Sequence, residues 1–315
     1  PLVSEVIYPI ISIPTINFTP VQQPGIAVDK DGNTYVSDVS NNKIIKMFAD
    51  GSVDSSFITG VATYNITTDN QGNLYIANQS SADVRKYDSN GNLLLTISNR
   101  PTSAVPLVDP TGVAVDGNGN IYVSDVIDTG TGVSQVFKYS SSGVGISVIA
   151  GDPTGASPEG DLGVVLSSNE TLKWVLDIDV SSSGEKVYIC EGGYSLIKQV
   201  DFPSSRISTI AGGGLTTPPA RSLNLLNPSG IELDSLGNLY ISDKSNNRVI
   251  KVDLISSNYS VVAGENSQVP TTSLPLIKST NSALNSPFGL ELDKVGNIYI
   301  TDNDSSNVRI LKVVK

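Results

Sequence analysis

The residues of this 315-residue chain best suited to chemistry are three carboxylates, Asp179, Glu232 and Glu291. Each lies two residues before the start of a short turn, in the segments DIDVS, GIELD and GLELD. If these segments are neighbouring strands, their like charges converge and require either protonation or a bound cation. Carboxylate oxygens are hard ligands that suit Ca²⁺ or Mg²⁺. We therefore predict a metal site at these three residues, with Ca²⁺ as the candidate cofactor.

Few other residues offer chemistry. The chain has no histidine, so it contains neither a Ser-His-Asp nor a Cys-His nucleophile pair, nor a His-ligated zinc. Its single cysteine, Cys190, leaves no partner for an intrachain disulfide. No catalytic residue is assigned. The alternative role for the three carboxylates is structural, with the side chains bonding backbone groups or tyrosine hydroxyls between strands.

The three carboxylates belong to a sequence repeat that occurs six times. Its marker is a tyrosine that follows a turn: Tyr35, Tyr75, Tyr122, Tyr188, Tyr240 and Tyr299. Three residues after each tyrosine stands an acid or amide: Asp38, Asn78, Asp125, Glu191, Asp243 and Asp302. Because this residue recurs in every copy, we expect it to bond the following turn or a base such as Lys43 or Arg248, and not to be catalytic.

Each copy predicts short strands joined by turns. In the copy from Asn227 to Val252, an inner strand leads to a turn at Gly237, a second strand, a polar turn and a third strand. A fourth, outer strand precedes the next copy. The repeat resembles the NHL repeat, a β-propeller blade motif, over about Pro24 to Val313. The resemblance implies an all-β fold, a six-bladed β-propeller of four-stranded antiparallel blades.

We expect one domain, 1–315, because six blades use this length in a single ring. The predicted blades span about 23–59, 63–99, 108–150, 173–211, 227–263 and 286–315. The last copy ends without an outer strand, whereas Val3 to Ile13 is rich in β-branched residues and belongs to no copy. We predict that residues 3–13 pair with the last blade and close the ring. The alternative is donation of this strand to a neighbouring subunit, giving self-assembly into a filament.

The resemblance also bears on the carboxylates. In the first three copies their position is held by Ala27, Thr67 and Ala114, so the acids break the repeat on one side of the ring. Inner strands of a propeller line its axial channel, and propeller lactonases that resemble this architecture hold a Ca²⁺ there with Asp, Glu and Asn ligands. Zinc lyases of similar fold use His ligands, which this chain lacks.

Composition limits the partners and location. The formal net charge is −11, which opposes nucleic-acid binding because that binding depends on counterion release from phosphates. No apolar stretch is long enough to span a bilayer as a helix. The few Lys and many Ser, Thr and Asn residues favour an extracellular, secreted protein. Sequences that accept N-linked glycans occur at Asn17, Asn65, Asn78, Asn169, Asn258 and Asn303.

The later copies are longer than the first two because of their connections between an outer strand and the next inner strand. These connections cover roughly 100–109, 151–172, 212–227 and 264–286, and propeller geometry places them on one face, where long loops on a rigid scaffold commonly bind partners. We therefore predict a non-catalytic extracellular binding or scaffold module that recognises a protein or glycan through this face. The alternatives are a Ca²⁺-dependent hydrolase resembling the lactonases and a structural subunit of a filament or surface layer.

Overall fold

The computed structural model describes residues 10–12, 23–101, 103–152, 170–214, 219–264, 284–304 and 307–314. In this part of the chain the strands form six antiparallel sheets, each built on a path of four strands. The predicted all-β, six-bladed propeller is therefore confirmed. Among the described residues, no helix has the length and hydropathy needed to cross a membrane.

The blades follow one another along the chain, each built from the inside outward. The strands of blades 1 to 3 are β2 (Ile26–Val28), β3 (Thr34–Asp38), β4 (Lys43–Met47), β5 (Val53–Thr59), β6 (Ile66–Thr68), β7 (Leu74–Asn78), β8 (Asp83–Tyr87), β9 (Leu93–Ile97), β10 (Pro110–Val115), β11 (Ile121–Asp128), β12 (Val133–Tyr139) and β13 (Gly145–Ala150). Those of blades 4 to 6 are β15 (Val175–Val180), β16 (Lys186–Glu191), β17 (Leu196–Asp201), β18 (Arg206–Gly212), β19 (Gly230–Leu233), β20 (Asn238–Asp243), β21 (Arg248–Asp253), β22 (Tyr259–Ala263), β23 (Pro287–Leu292), β24 (Ile298–Asp304), β25 (Asn307–Val313) and β1 (Ile10–Ser12). The short strand β14 (Leu172–Lys173) pairs with β12, and 3-10 turns span Val39–Asn41, Pro219–Ser222 and Lys244–Asn246.

One side of the ring, which we call the hairpin face, carries the tight turns between the first and second strands of the blades. In blade 1, Asp29 Oδ1 accepts the backbone N–H groups of Asp31 and Asn33 at 2.9 Å. Its Oδ2 accepts the Tyr35 hydroxyl at 3.0 Å, and Gly32 completes the turn with a φ of 83°. The same pattern is repeated by Asp69, Asp116, Asp234 and Asp293. Local sequence therefore determines the turn and orients the repeat tyrosine.

The opposite side, which we call the loop face, carries the connections between blades. The repeated acid or amide is buried there and accepts a backbone N–H group from the connection that enters its own blade. These donor–acceptor pairs, at 2.7 to 3.1 Å, are Ala62–Asn78, Val108–Asp125, Lys173–Glu191, Leu226–Asp243 and Asn285–Asp302. Arg248 also donates to Asp243 at 2.8 Å, and Lys43 lies 3.8 Å from Asp38. The recurring residue is thus structural, as predicted.

The hydrophobic core is divided among the seams between blades. The described residues form six clusters of buried side chains, one at each seam. The seam between blades 6 and 1 contains Ile26, Met47, Tyr299 and Ile310. The inner strand β23 contacts both β19 and β2, so the ring is closed. Because each cluster takes side chains from two blades, each blade depends on its neighbours for burial of its apolar faces.

The N-terminal strand completes the last blade, as predicted. β1 pairs antiparallel with β25, with Ile10 opposite Val313 and Ser12 opposite Leu311. The rest of the predicted strand, 3–9 and 13, lies outside the described residues. This pairing agrees with ring closure by the N-terminal strand, and self-assembly through the same strand stays a prediction.

Blade 4 carries an ion-pair network near the loop face. Lys198 on β17 has only 1% of its surface exposed, although lysine side chains are rarely buried. Its Nζ atom forms an ion pair with Glu170 and lies 3.7 Å from Glu191. Both carboxylates are also buried. The network therefore fastens the segment before β14 to the interior of the blade.

Candidate functional site

The structure brings the three predicted carboxylates together on neighbouring inner strands. Each is paired across its sheet with the repeat tyrosine of the same blade: Asp179 with Tyr188, Glu232 with Tyr240 and Glu291 with Tyr299. The other blades have Ala27, Thr67 and Ala114 at this register position. All three acids line an axial cavity of about 20 Å³, which is enough for one water molecule.

A fourth acid, Asp177, lines the same cavity and was not predicted as a site residue. It lies two residues before Asp179, at a position that four blades fill with glycine: Gly25, Gly112, Gly230 and Gly289. Neighbouring inner strands approach closely there, and a Cβ atom on Gly230 would lie 2.3 Å from the Phe288 carbonyl oxygen. Asn65 and Asp177 are the two residues that depart from glycine. That departure is the sequence signal that could have identified both.

Asp177 and Asn65 connect blades across the axis. Asp177 Oδ1 accepts the Asn65 Nδ2–H at 2.6 Å, and its Oδ2 accepts the Ile231 N–H at 2.8 Å. Asn65 Oδ1 in turn accepts the Val113 N–H at 2.8 Å. These bonds link blade 2 to blades 3 and 4, and blade 4 to blade 5. The pair therefore holds four inner strands at fixed positions around the channel.

Asp179 uses both of its carboxylate oxygens on backbone donors. Its Oδ1 accepts the N–H of Val180, and its Oδ2 accepts the N–H of Leu233 on the next blade, both at 2.7 Å. The axial edge of an inner strand has no partner strand, so its N–H groups need other acceptors. For Asp179 the contacts therefore match the structural alternative, in which the side chain bonds backbone between blades.

Glu232 and Glu291 lie on neighbouring inner strands, and each carboxyl group affects the pKa of the other. Glu291 accepts the Leu292 N–H at 3.1 Å. Burial raises the pKa of Glu232 well above its usual range, and the charges of Glu291, Asp179 and Asp177 raise it further. The surroundings of Glu232 accordingly favour its neutral, protonated form.

The other axial acids experience the same desolvation. Burial raises the pKa of Asp177 to about 8, with Asp179 adding to the effect and the Ile231 N–H opposing it. Burial also raises the pKa values of Asp179 and Glu291. The cluster therefore retains protons at neutral pH, because a fully ionised set of four carboxylates would be strongly repulsive in this environment.

These contacts bear directly on the predicted Ca²⁺ site. The described residues include no group of three His, Cys, Asp or Glu side chains placed to hold a metal ion. Asp179 already accepts a backbone N–H group at each of its carboxylate oxygens. As they stand, the residues do not fit a Ca²⁺ ion. A calcium site at Asp179, Glu232 and Glu291 thus stays a prediction that only a binding measurement can test.

A larger cavity, of about 430 Å³, shares Glu232 and Glu291 with the axial cavity and is lined by turns of the hairpin face. Blades 1, 2, 5 and 6 contribute these turns. At two turn tips, Leu236 and Val295 are 68% and 72% exposed. We call this cavity the hairpin-face mouth. The sequence analysis instead predicted binding on the loop face. The longest connections of that face include 153–169, 215–218 and 265–283, which lie outside the described residues.

The predicted glycan acceptors have different environments. Asn78 is fully buried and its Nδ2 donates to Asp83 at 2.9 Å, while the Nδ2 of Asn65 is bonded to Asp177. A glycan on either nitrogen would disrupt these bonds in the folded protein. Asn258 is exposed and Asn303 is half-buried. The other two, Asn17 and Asn169, lie outside the described residues.

No family model matches the chain, and a search of curated proteins gives no match. Solved structures do match it. A gluconolactonase from Xanthomonas campestris is 13% identical, with a TM-score of 0.67 over 97% of this chain and 90% of that one. An auxiliary nutrient binding protein from Bacteroides ovatus is also 13% identical, with a TM-score of 0.65 over 98% and 77%. A chain in a nidogen/laminin complex is 16% identical, with a TM-score of 0.57 over 80% and 91%.

At these identities the similarity concerns the fold alone. The matched structures support the six-bladed propeller, and they include both an enzyme and binding proteins. They do not determine whether this chain is catalytic. Membership of the NHL family likewise stays a prediction from the repeat.

Proposed function

We propose that the protein is a non-catalytic binding propeller that takes a small molecule in the hairpin-face mouth. The observation that carries this proposal is the cavity of about 430 Å³ with Glu232 and Glu291 among its lining residues. Its volume lies within the range of small-molecule sites. Asp177 and Asp179 are bonded to backbone N–H groups, which gives the site a rigid base. The nutrient-binding protein of similar fold agrees with such a use of the scaffold.

Methyl NMR with a library of neutral, cationic and anionic fragments tests this proposal. We expect bound fragments to shift the methyl signals of Leu236 and Val295. Trp174 lies at the loop face, where its backbone N–H donates to the Gly132 carbonyl, and it is 40% exposed. Its fluorescence should therefore stay unchanged when a fragment binds at the hairpin-face mouth. If fragments change the fluorescence of Trp174 but do not shift the methyl signals of Leu236 and Val295, the site is on the loop face and the proposal is contradicted.

We propose the loop face as a second surface, for a protein or glycan partner outside the cell. The long connections predicted from the sequence support it, as does the occurrence of a similar fold in a nidogen/laminin complex. The extracellular location rests on composition. A glycan array should show binding that is lost when 265–283 is replaced by a short Gly-Ser linker. If the wild type and the linker variant give identical array signals, glycan recognition lies elsewhere.

The alternative function is a Ca²⁺-dependent hydrolase. It is favoured by the convergence of Asp179, Glu232 and Glu291 around the axis and by the similarity in fold to a gluconolactonase. Calcium-dependent hydrolysis of gluconolactone, lost on Glu291→Gln, would support it. Because Asp179 is committed to backbone donors, we expect neither hydrolysis nor a change in Tm when calcium is added or chelated.

A further inference from the structure

Blades 5 and 6 depart from the repeat at two positions, and both positions line the hairpin-face mouth. One is the inner-strand position, occupied by Glu232 and Glu291. The other is the third residue of the tight turn, Leu236 in blade 5 and Val295 in blade 6. The remaining blades have polar residues at this turn position: Asp31, Gln71, Asn118 and Ser183.

The turn itself does not require an apolar residue. Its conformation depends on the aspartate and the glycine, as in Asp234 and Gly237 of blade 5. Leu236 and Val295 instead leave most of their surface in water, at 68% and 72% exposed. Single exposed apolar side chains are common on proteins. Here, however, two of them line one cavity together with the two glutamates of the same blades, so apolar and acidic groups are combined in one site.

The charge of the cavity is predominantly negative. Six carboxyl groups and two ammonium groups line it. One of the ammonium groups, on Lys30, is bonded to Asp31 at 2.7 Å. Four of the carboxylates belong to turn aspartates that are bonded to their own turns, such as Asp29 and Asp293. Glu232 and Glu291 differ because they lie on the neighbouring inner strands β19 and β23, and two carboxylates brought together in this way favour a bound cation.

We infer that the hairpin-face mouth binds an organic cation with an apolar body, whose ammonium group lies at Glu232 and Glu291 and whose apolar part contacts Leu236 and Val295. This inference rests on the proposed function and adds the class of ligand. On binding, the ammonium group pairs with the glutamate carboxylates, and no covalent bond to the ligand is formed.

The probes are 3-phenylpropylammonium and its neutral analogue 3-phenyl-1-propanol, and their affinities are measured by isothermal titration calorimetry at pH 7. We expect the ammonium compound to bind at least about tenfold more tightly, because a hydrogen-bonded charge pair is stronger than a neutral one.

Two variants separate the two parts of the site. Glu232→Gln should reduce the preference for the ammonium probe over the alcohol by at least about threefold, because one of the two carboxyl groups that can pair with the ammonium group is removed. The double variant Leu236→Gln, Val295→Asn should weaken both probes by about tenfold through loss of apolar contact. It introduces residue types that other blades already carry at this turn position. Asn118→Leu, whose turn does not line the cavity, is the matched control and should change neither affinity.

The outcomes distinguish the inference from the proposed function. If neutral or anionic fragments bind at the mouth while the ammonium probe binds no more tightly than the alcohol, the cation assignment is wrong and the binding site stands. An ammonium affinity unaffected by Glu232→Gln would also overturn the assignment. If no compound of any charge shifts the Leu236 and Val295 methyls, both the inference and the proposed function are wrong.

Discussion

The raised pKa values of Glu232 and Glu291 should make the folded protein less stable as the pH rises from 5 to 8. In the unfolded chain these carboxyl groups return to an ordinary pKa of 4.5, whereas burial raises both in the folded protein. Asp177 is shifted in the same direction, to a pKa of about 8. Over this range the folded protein therefore binds more protons than the unfolded chain, and the free energy of unfolding must fall with rising pH.

The number of protons that the folded protein retains sets the scale of this effect. One retained proton corresponds to about 1.4 kcal/mol of unfolding free energy per pH unit. From pH 5 to pH 7 the loss should therefore reach about 3 kcal/mol, and more if Asp177 also retains a proton. The slope should begin to flatten near pH 8, because the folded-state pKa values of Asp177 and Glu291 are about 8. A loss of this size is a substantial part of the 5 to 15 kcal/mol that typically stabilises a domain.

Urea unfolding at pH 5, 6, 7 and 8 measures the slope directly. In Glu232→Gln the amide can donate to Glu291 as the protonated acid does, but it takes up no proton. We expect its slope to be smaller by about one proton, about 1.4 kcal/mol per pH unit, and the variant to be more stable than the wild type at pH 8. Glu185→Gln, at an exposed position, is the matched control and should keep the wild-type slope. A free energy of unfolding that is constant or rises from pH 5 to 8 would refute the reasoning.

Three further predictions concern the scaffold. Gly230→Ala should destabilise the protein by about 1–3 kcal/mol in urea unfolding, because the new methyl group would meet the Phe288 carbonyl oxygen at 2.3 Å; Gly130→Ala, in an exposed turn, should change stability by less than about 0.5 kcal/mol. Deleting residues 1–20 should lower the Tm and promote association because β25 loses its partner. A peptide of that sequence added in trans should restore the Tm, and a monomeric deletion variant with unchanged Tm would contradict ring closure by β1. Lys198→Ala should cost about 3–5 kcal/mol of stability because it leaves two buried carboxylates without their cation, and a variant as stable as the wild type would show that these carboxylates find other donors.

The fold could be predicted from the sequence because its determinants are local and repeated. The turn at Asp29 and Gly32 needs only residues within six positions, including the tyrosine that bonds the aspartate. Six copies of this pattern specify six modules, and a blade with an exposed edge requires a strand to cover it. That requirement was sufficient to assign the N-terminal segment to β25. It did not define the limits of the strand, which is described only over Ile10–Ser12.

The candidate site could be predicted only in part. The break in the repeat identified Asp179, Glu232 and Glu291, and the register with the repeat tyrosines places them at equivalent positions. Their partners could not be predicted, because Asp179 bonds a backbone N–H on the next blade, 54 residues along the chain. The hydrogen-bond partner of Asn65 could not be predicted for the same reason. Its sequence suggested a glycan acceptor, but its side chain is bonded to Asp177, 112 residues away.

The sequence by itself determined the number of modules, the turn of each module, the repeat-breaking acids and the absence of histidine chemistry, because these depend on residue identity over short spans. Tertiary structure alone decided how those acids are neutralised and where a ligand can enter. Both depend on distances between strands that are far apart in the chain, and these distances are set when the ring closes. The glutamates at the axis and the apolar residues at the turn tips become one site only in the closed ring.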